Sequence, residues 1–430
     1  MALGYLDDSK LYAIADAIRS KTGKAATMTV DDMPDEIESI SGGGGGGGGS
    51  VSDPIRFIDY DGTVVASYKT VPESLPDNPQ HDGLVSQGWN YTLAQVRAQF
   101  EDSGTCDVGQ MYVTKSGDTE IDITVQDGRL SPCLAIALNG TATIDWGDGS
   151  ELDTVTGTSL TTRKQTQHIY SDAGNYTIIV HVSSGSADLF GTSTYPFISK
   201  NVSPLNANRV YASCAKAVRI GSNMGIGEYA FAYCGLLASV TIPDEVTTIG
   251  RSAFNYCASL TSMTIPSGVT AINSNMFDSC CSLKYVSMPV AVQTISSNTF
   301  TSCYSLESLA IPSYITAISS TAFNGCRSLT HMVLPNGLDE IQSQMFYACY
   351  SLNSVTIPSG VTSIRTQAFG NCYGLGEIHF QSITPPSVDS NSAWTSIPTD
   401  CKIYVPTGTL SAYMSATNYP SSSSYTYLEE

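Results

Sequence analysis

Basic residues are scarce in this chain: 20 Lys and Arg stand against 39 Asp and Glu, for a net charge of −19 over 430 residues. Phosphate backbones would be repelled, which argues against nucleic acid as a partner. Charged residues of both signs make up only 14% of the chain, which leaves Ser, Thr, Tyr, Asn and Gly to cover much of the surface. No window approaches the roughly 20 apolar residues of a membrane span, so no insertion is expected. The N-terminus, Met1-Ala-Leu-Gly-Tyr-Leu-Asp-Asp, has neither the basic start nor the apolar core of a secretory signal. The five histidines (His81, His168, His181, His331 and His379) fall in no H-x-x-x-H or H-E-x-x-H spacing. A Gly-x-Ser-x-Gly elbow is missing too, and the glycine run is not followed by Gly-Lys-Ser/Thr. These gaps argue against catalysis, a cofactor or a metal centre, and a binding protein is expected instead of an enzyme.

What the chain does have is a repeat. Cys234, Cys257, Cys280, Cys303, Cys326, Cys349 and Cys372 recur every 23 residues; Phe231, Phe254, Phe277, Phe300, Phe323, Phe346 and Phe369 keep the same step. Pro243, Pro266, Pro289, Pro312, Pro335 and Pro358 form a third column in register. A unit such as Cys257-Ala-Ser-Leu260-Thr-Ser-Met263-Thr-Ile265-Pro266 centres on an L-x-x-L-x-L strand. Proline has no N–H for the ladder, so it ends the strand and turns the chain. Each coil is too small to bury its own apolar face, and stacking is therefore obligatory. The pattern resembles the BspA-like (treponemal-type) leucine-rich repeats over seven units, residues 227–380, with 185–226 and 381–430 expected as caps. A cysteine column lacking C-x-x-C pairs or histidine partners suits neither zinc nor a framework of bridges, so free, packed thiols are expected.

The N-terminal half is modular. Leu11, Ile14, Ala15 and Ile18 at helical spacing predict a helical head over 1–41, followed by a glycine tether, 42–50. Residues 51–115 read as a small α+β module. Its signals are a hairpin turning at Asp61-Gly62, a helix from Leu93 to Phe100 and a strand from Gly109. The head and this module resemble tail and fibre proteins of phages and prophages. Residues 116–184 carry Asp145-Trp146-Gly147-Asp148-Gly149, His168-Ile-Tyr170 and Gly174-Asn-Tyr176-Thr, which resemble a PKD-type domain. That resemblance implies an immunoglobulin-like sandwich with Trp146 and Tyr176 in its core. Asp145 and Asp148 are read as turn residues and not as a calcium loop, which needs acids at more fixed offsets. The expected fold class is thus mainly β and multidomain: helical head, β modules, then a solenoid of 23-residue repeats.

Two surfaces of the solenoid are candidates for ligand. The first is an edge, where two residues separate each Phe from its Cys and one more follows. It comprises Tyr233, Asn255, Tyr256, Asp278, Ser279, Thr301, Tyr304, Asn324, Arg327, Tyr347, Tyr350, Asn371 and Tyr373. Fixed flanks around varied Tyr, Ser, Asn and Arg match the palette of antibody paratopes. Drift at exposed turns and a diversified recognition edge both fit this variation. The rival is the concave strand face, with Lys284, Tyr285, Glu307, His331, Asn353, Glu377 and His379.

A docking head, a tether, spacers and a repeat tip suggest a binding surface held away from an anchor. The resemblances imply a phage tail-fibre or receptor-binding protein in a virion tail. Its head would dock on a tail or baseplate protein, and its tip would bind a bacterial surface receptor, whether protein, glycan or wall polymer. The alternative is a bacterial cell-surface adhesin of the BspA-like type, binding a host or bacterial protein or glycan. A homotrimer is common among fibres, though no heptad run here specifies one.

Overall fold

The computed structural model describes residues 53–126, 132–191 and 215–430; the expected helical head and glycine tether lie outside the described residues. The chain first forms a four-stranded sheet from β1 (Ile55–Ile58), β2 (Val64–Tyr68), β3 (Leu84–Trp89) and β4 (Cys106–Thr114), with one helix, α1 (Leu93–Ser103), between β3 and β4. The spatial order is β2-β1-β4-β3, with β1 and β4 parallel and the other pairs antiparallel. The hairpin turns where Asp61-Gly62 predicts, with Gly62 at φ 91. Helix α1 runs three residues beyond the expected Phe100. Thr92 and Gln95 close a capping box at its start and Gly104 ends it in the left-handed region. Its core gathers Ile55, Phe57, Trp89, Tyr91, Val96, Cys106 and Val108.

Next come β5 (Thr119–Val125), β6 (Cys133–Asp145), β7 (Asp153–Gln167) and β8 (Gly174–Leu189). The Asp-Trp-Gly-Asp-Gly segment is a turn, as expected. Gly147 N donates to Asp145 Oδ1 at 2.8 Å and Ser150 N to Asp148 Oδ1 at 3.1 Å. His168 bonds Asp148 at 2.6 Å, stacks on Trp146, and meets the edge of Tyr170, whose hydroxyl donates to Trp146 O. Partial loss of hydration works against the Asp148 carboxylate, but Ser150 and His168 outweigh it and hold its pKa down to about 2. The implied two-sheet sandwich is not confirmed. Among the described residues the strands lie on one hydrogen-bonded path, β5-β8-β6-β7, which β5 extends through Ala215–Arg219 and Ser239–Thr241 into the solenoid. The physical reason is that the edge of β5, which a sandwich would leave or cover, is paired antiparallel with Ala215–Arg219. One apolar cluster accordingly runs without a break from Ile121 to Tyr413.

The solenoid stacks in parallel register. Ser262 pairs with Tyr285, Ile272 with Ile295, His331 with Ser354, each a step of 23 residues. Beyond 380 the chain keeps stacking. Glu377–Phe380 pairs with Lys402–Val405, and that strand with Thr426–Glu429. The segment expected as a cap is therefore built as two further coils, of 25 and then 24 residues, and in the first of them Trp394 takes the place of Phe and stacks on Phe369 at 5.4 Å.

Each coil is filled by its Phe and Cys. The seven phenylalanines are fully buried and stacked with centroids 5.4 to 5.8 Å apart. From Cys257 onward each column thiol donates to the Phe carbonyl of the preceding coil at 3.1 to 3.2 Å. None of the ten cysteines whose side chains are described is in a disulfide. Burial pushes the column thiols from Cys257 onward up, Cys372 to about 12, so at neutral pH they are neutral and unreactive. A direct consequence is testable: an aromatic disulfide reagent at pH 8 should leave the seven column thiols unlabelled in the native protein and react with them once guanidinium unfolds it. Fast labelling of the native column would mean that the coils open far more readily than this packing allows.

Candidate functional site

The strand face of the solenoid turns out to be partly occupied by the chain itself. Strand β4 crosses the strands of successive coils. Ser287 donates its hydroxyl to Asp107 O at 2.6 Å and accepts from Asn90 Nδ2 at 2.9 Å. Asn90 Nδ2 also reaches Ile265 O at 3.2 Å, while its Oδ1 takes the amide of Gly109 at 2.9 Å. Tyr91 donates to Met288 O, Gln99 to Ile311 O at 2.9 Å, Ser262 to Tyr60 O at 2.9 Å and Thr261 to Asp61 O at 3.2 Å. Arg56 holds Asp107 through two bonds of 2.7 and 2.9 Å, donates to Ser308 Oγ and lies over the Tyr285 ring at 5.1 Å. Buried polar groups here find partners on the other module, which is what makes their burial tolerable.

This docking divides the concave face. Thr241, Ser262, Ser287 and Ala310 are buried, whereas Val333 and His331 one coil further on are exposed. Of the rival residues, Tyr285 lies under Arg56, and Lys284 beside it is half-buried; Glu307 is exposed at the boundary. His331 and Asn353 face outward on the open half. There His379 stacks on Tyr404 at 4.5 Å and sits between Glu430 at 3.0 Å and Glu377 at 3.5 Å. The outward positions are Thr241, Thr264, Ser287 and Ala310 in the covered coils, and Val333, Thr356 and His379 in the open ones; with threonine on both sides, this row does not mark the division in the sequence.

The edge is also uneven. The residue before each Cys is left-handed throughout: Tyr233, Tyr256, Ser279, Ser302, Ala348 and Asn371 at φ between 59 and 64, and Gly325 at 74. Inter-coil bonds hold this conformation, as when Tyr256 N donates to Asp278 O at 2.8 Å and Ser279 N to Thr301 O at 2.7 Å. Two of the candidate residues do not reach the surface: Asn255 and Ser279 are buried, because the turn packs them against the next coil. Asp278 bonds Ser279 Oγ, and Thr301 donates to Thr321 O. Tyr233 and Tyr256 stack on each other at 4.9 Å.

The exposed aromatic surface is concentrated in the later coils. The residue after each Cys reads Gly235, Ala258, Cys281, then Tyr304, Arg327, Tyr350, Tyr373. Ser328 N donates to Tyr304 O and Ser351 N to Arg327 O, so successive members of this row sit directly over one another. The Arg327 guanidinium lies 4.3 Å from the Tyr304 ring centre and 5.5 Å from that of Tyr350. Tyr350 in turn meets Tyr373 at 5.3 Å. Tyr350 is 39% and Tyr373 56% exposed. Beside this row, Asn371 donates to the Tyr347 hydroxyl at 2.8 Å, and the Tyr347 ring lies so close over Gly370 that a Cβ there would sit 2.9 Å from it. Asn324 is half-buried in the same stretch.

One cluster was not anticipated. His81 bonds Asp59 at 2.7 Å, Tyr112 donates to the same carboxylate at 3.0 Å, and Tyr60 packs edge-on to both rings. Burial and Asp59 push the Tyr112 hydroxyl well up, so it stays a hydrogen-bond donor. The cluster fixes the turn whose carbonyls receive Thr261 and Ser262. No spacing in the sequence links residues 22 and 53 positions apart. Among the described residues no three His, Cys, Asp or Glu side chains gather to hold a metal, and no helix is long and apolar enough to cross a membrane.

Comparison with known proteins bears on the repeats. Residues 224–350 and 293–392 match the family described as BspA type leucine rich repeat region, in six copies. Among solved structures, the chain is similar to a leucine-rich repeat protein of T. pallidum at 26% identity (TM-score 0.36, covering 43% of this chain and 84% of that one). It is also similar to a leucine-rich repeat protein of Bacteroides ovatus, at 24% identity and a TM-score of 0.40, covering 45% of this chain and 54% of the other. The pneumococcal vaccine antigen PcpA aligns at 17% identity with a TM-score of 0.37, covering 48% of this chain and 67% of that protein. No curated protein matches the chain. The repeats are thus of the BspA type. The tail-fibre and PKD-type resemblances of the preceding modules are not shown by these comparisons.

Proposed function

We propose, from the premise that residues 224–392 are a BspA-type leucine-rich repeat region, that this chain is a binding protein of the surface-adhesin kind, not an enzyme. The observation that carries the reading is the continuous, partly exposed row Tyr304–Arg327–Tyr350–Tyr373 on a rigid stack. Rigid aromatic anchors lose little side-chain entropy when a ligand arrives, and a preordered row loses still less. The partner is a protein or glycan on a bacterial or host surface. The receptor-binding role in a phage tail rests on the sequence of the head and of residues 51–115, whereas the family match lies in the repeats and adds weight to the adhesin.

The test uses the full chain, because removing residues 53–115 would strip the cover from Ser262, Ser287 and Ala310 and create an artificial sticky face. Binding to intact bacteria and to immobilised host surface extracts should be saturable and should fall at least tenfold in the Tyr350→Ala/Tyr373→Ala double variant, with little change in thermal stability. Undiminished binding by that variant would move the site to the open strand face around His331 and His379. Failure of the folded chain to bind any surface would remove the adhesin reading.

A further inference from the structure

The same row points to the chemistry of its ligand, and this inference rests on the binding role proposed above. On the solenoid, Arg219 is held by Glu120 and Asp122, Arg251 by Glu228, and Arg365 by Glu340 and Asp389. Arg327 differs. Among the described residues it has no carboxylate partner, and its guanidinium is held instead between two tyrosine rings. Stacking uses the faces of a guanidinium and leaves its in-plane N–H donors to meet something else. The net charge of −19 repels anions over most of the surface, and a fixed guanidinium with no carboxylate partner among the described residues offsets that repulsion locally. It favours an anionic group placed in that one location.

The rest of the row narrows the ligand further. Tyr350 and Tyr373 lie one coil apart with ring centres at 5.3 Å, tilted by 34°; Arg327 takes one face of Tyr350, and the two residues are 39% and 56% exposed. The residues just before Cys in this stretch, Ser302, Gly325, Ala348 and Asn371, are small, so the edge is shallow. Peptide recognition uses a sheet edge, a groove for a helix or a polyproline segment, or a cluster of arginines; this strip carries one arginine. A shallow strip of partly exposed aromatic rings flanked by amides suits flat rings with an apolar face and a hydroxyl rim. We propose that this edge binds an acidic glycan: pyranose rings lie against Tyr350 and Tyr373, and a sugar carboxylate takes the free donors of Arg327, with Asn324 and Asn371 available to hydroxyls.

The experiment is calorimetric titration of the full chain with polygalacturonate, its fully methyl-esterified form, sialyllactose, lactose and poly-glutamate. Saturable binding to at least one of the two carboxylate glycans is expected. It should weaken about tenfold on esterification or removal of the acid sugar, weaken as salt rises, and leave poly-glutamate unbound. Arg327→Gln should reproduce the tenfold loss for the acidic glycan and leave binding to the neutral one unchanged; Arg327→Lys, which keeps charge but not the planar fork, should fall between. Equal affinity for the neutral counterparts, equal affinity for poly-glutamate, or no binding to either acidic glycan would each overturn the acidic-glycan assignment. The adhesin reading fails separately, through the surface-binding assay with the tyrosine variant, so the two outcomes can be told apart.

Discussion

Gly109→Ala is expected to loosen the α/β module from the solenoid. A Cβ at this position would stand 2.2 Å from Thr264 Oγ1, 2.5 Å from its Cγ2 and 2.8 Å from its Cβ. Rotation of Thr264 could relieve the first two contacts but not the third, since Cβ is fixed by the backbone. Either β4 or the coil must give. Overpacking of this kind costs about 1–3 kcal/mol, and here the strain falls on a seam whose other contacts are directional hydrogen bonds at Asn90, Ser287 and Gln99. Thermal unfolding should broaden or split into two transitions, and exchange should quicken at the Asp244 amide, which now donates to Gln87 across the seam. Thr264→Ala removes Oγ1 and Cγ2. The double variant keeps the Cβ contact and should therefore recover only part of the loss, giving a coupling of about 1 kcal/mol between the two sites. Strict additivity would show that β4 and the coil do not press on each other here.

Phe300→Ala should have a larger effect on the array. Phe300 is fully buried, lies between Phe277 and Phe323 at 5.6 Å on each side, and lends its carbonyl to the Cys326 thiol. Truncating a buried phenylalanine costs about 3–5 kcal/mol, through lost transfer energy and the cavity left behind. In a solenoid every coil contacts only its neighbours, so the loss is spent on two interfaces and cannot be shared with a distant core. Hydrogen exchange should accelerate over roughly residues 277–346 first, and the melting temperature should fall on the order of 10 °C. Phe300→Leu, which keeps most of the volume, should cost far less. A change below about 1 kcal/mol in Phe300→Ala would mean that the aromatic ladder fills space without holding the coils together.

How far residues predict structure varies along the chain. The solenoid was legible because three columns with one period demand one repeated environment: Phe and Cys inside, Pro at the strand end, the coil length fixed at 23. The last two coils were not, since their length changes and Trp394 stands where Phe was expected; periodicity is lost before stacking is. The hairpin at Asp61-Gly62 and the capped helix after Thr92 were local signals and fell where local chemistry placed them. The sandwich expected from the Trp146–Tyr176 motif was not a local matter. Whether β5 ends a sheet or joins the solenoid depends on Ala215–Arg219 pairing with it, ninety residues later.

The candidate sites divide in the same way. Composition and spacing picked out the variable edge, and Tyr304, Arg327, Tyr350 and Tyr373 do form one row there. They could not reveal that Asn255 and Ser279 turn inward, which follows from the left-handed backbone beside them and the coil packed over it. Nor could they show that residues 53–115 lie across half of the concave face. A strand pattern states which residues point outward from a coil; only the tertiary structure decides whether outward means solvent or another layer of the same chain. By itself, the sequence determined the repeat, its core and the absence of a recognisable catalytic motif, because those follow from local spacing. The tertiary structure decided which surface remains open, because that depends on contacts between residues some 200 positions apart.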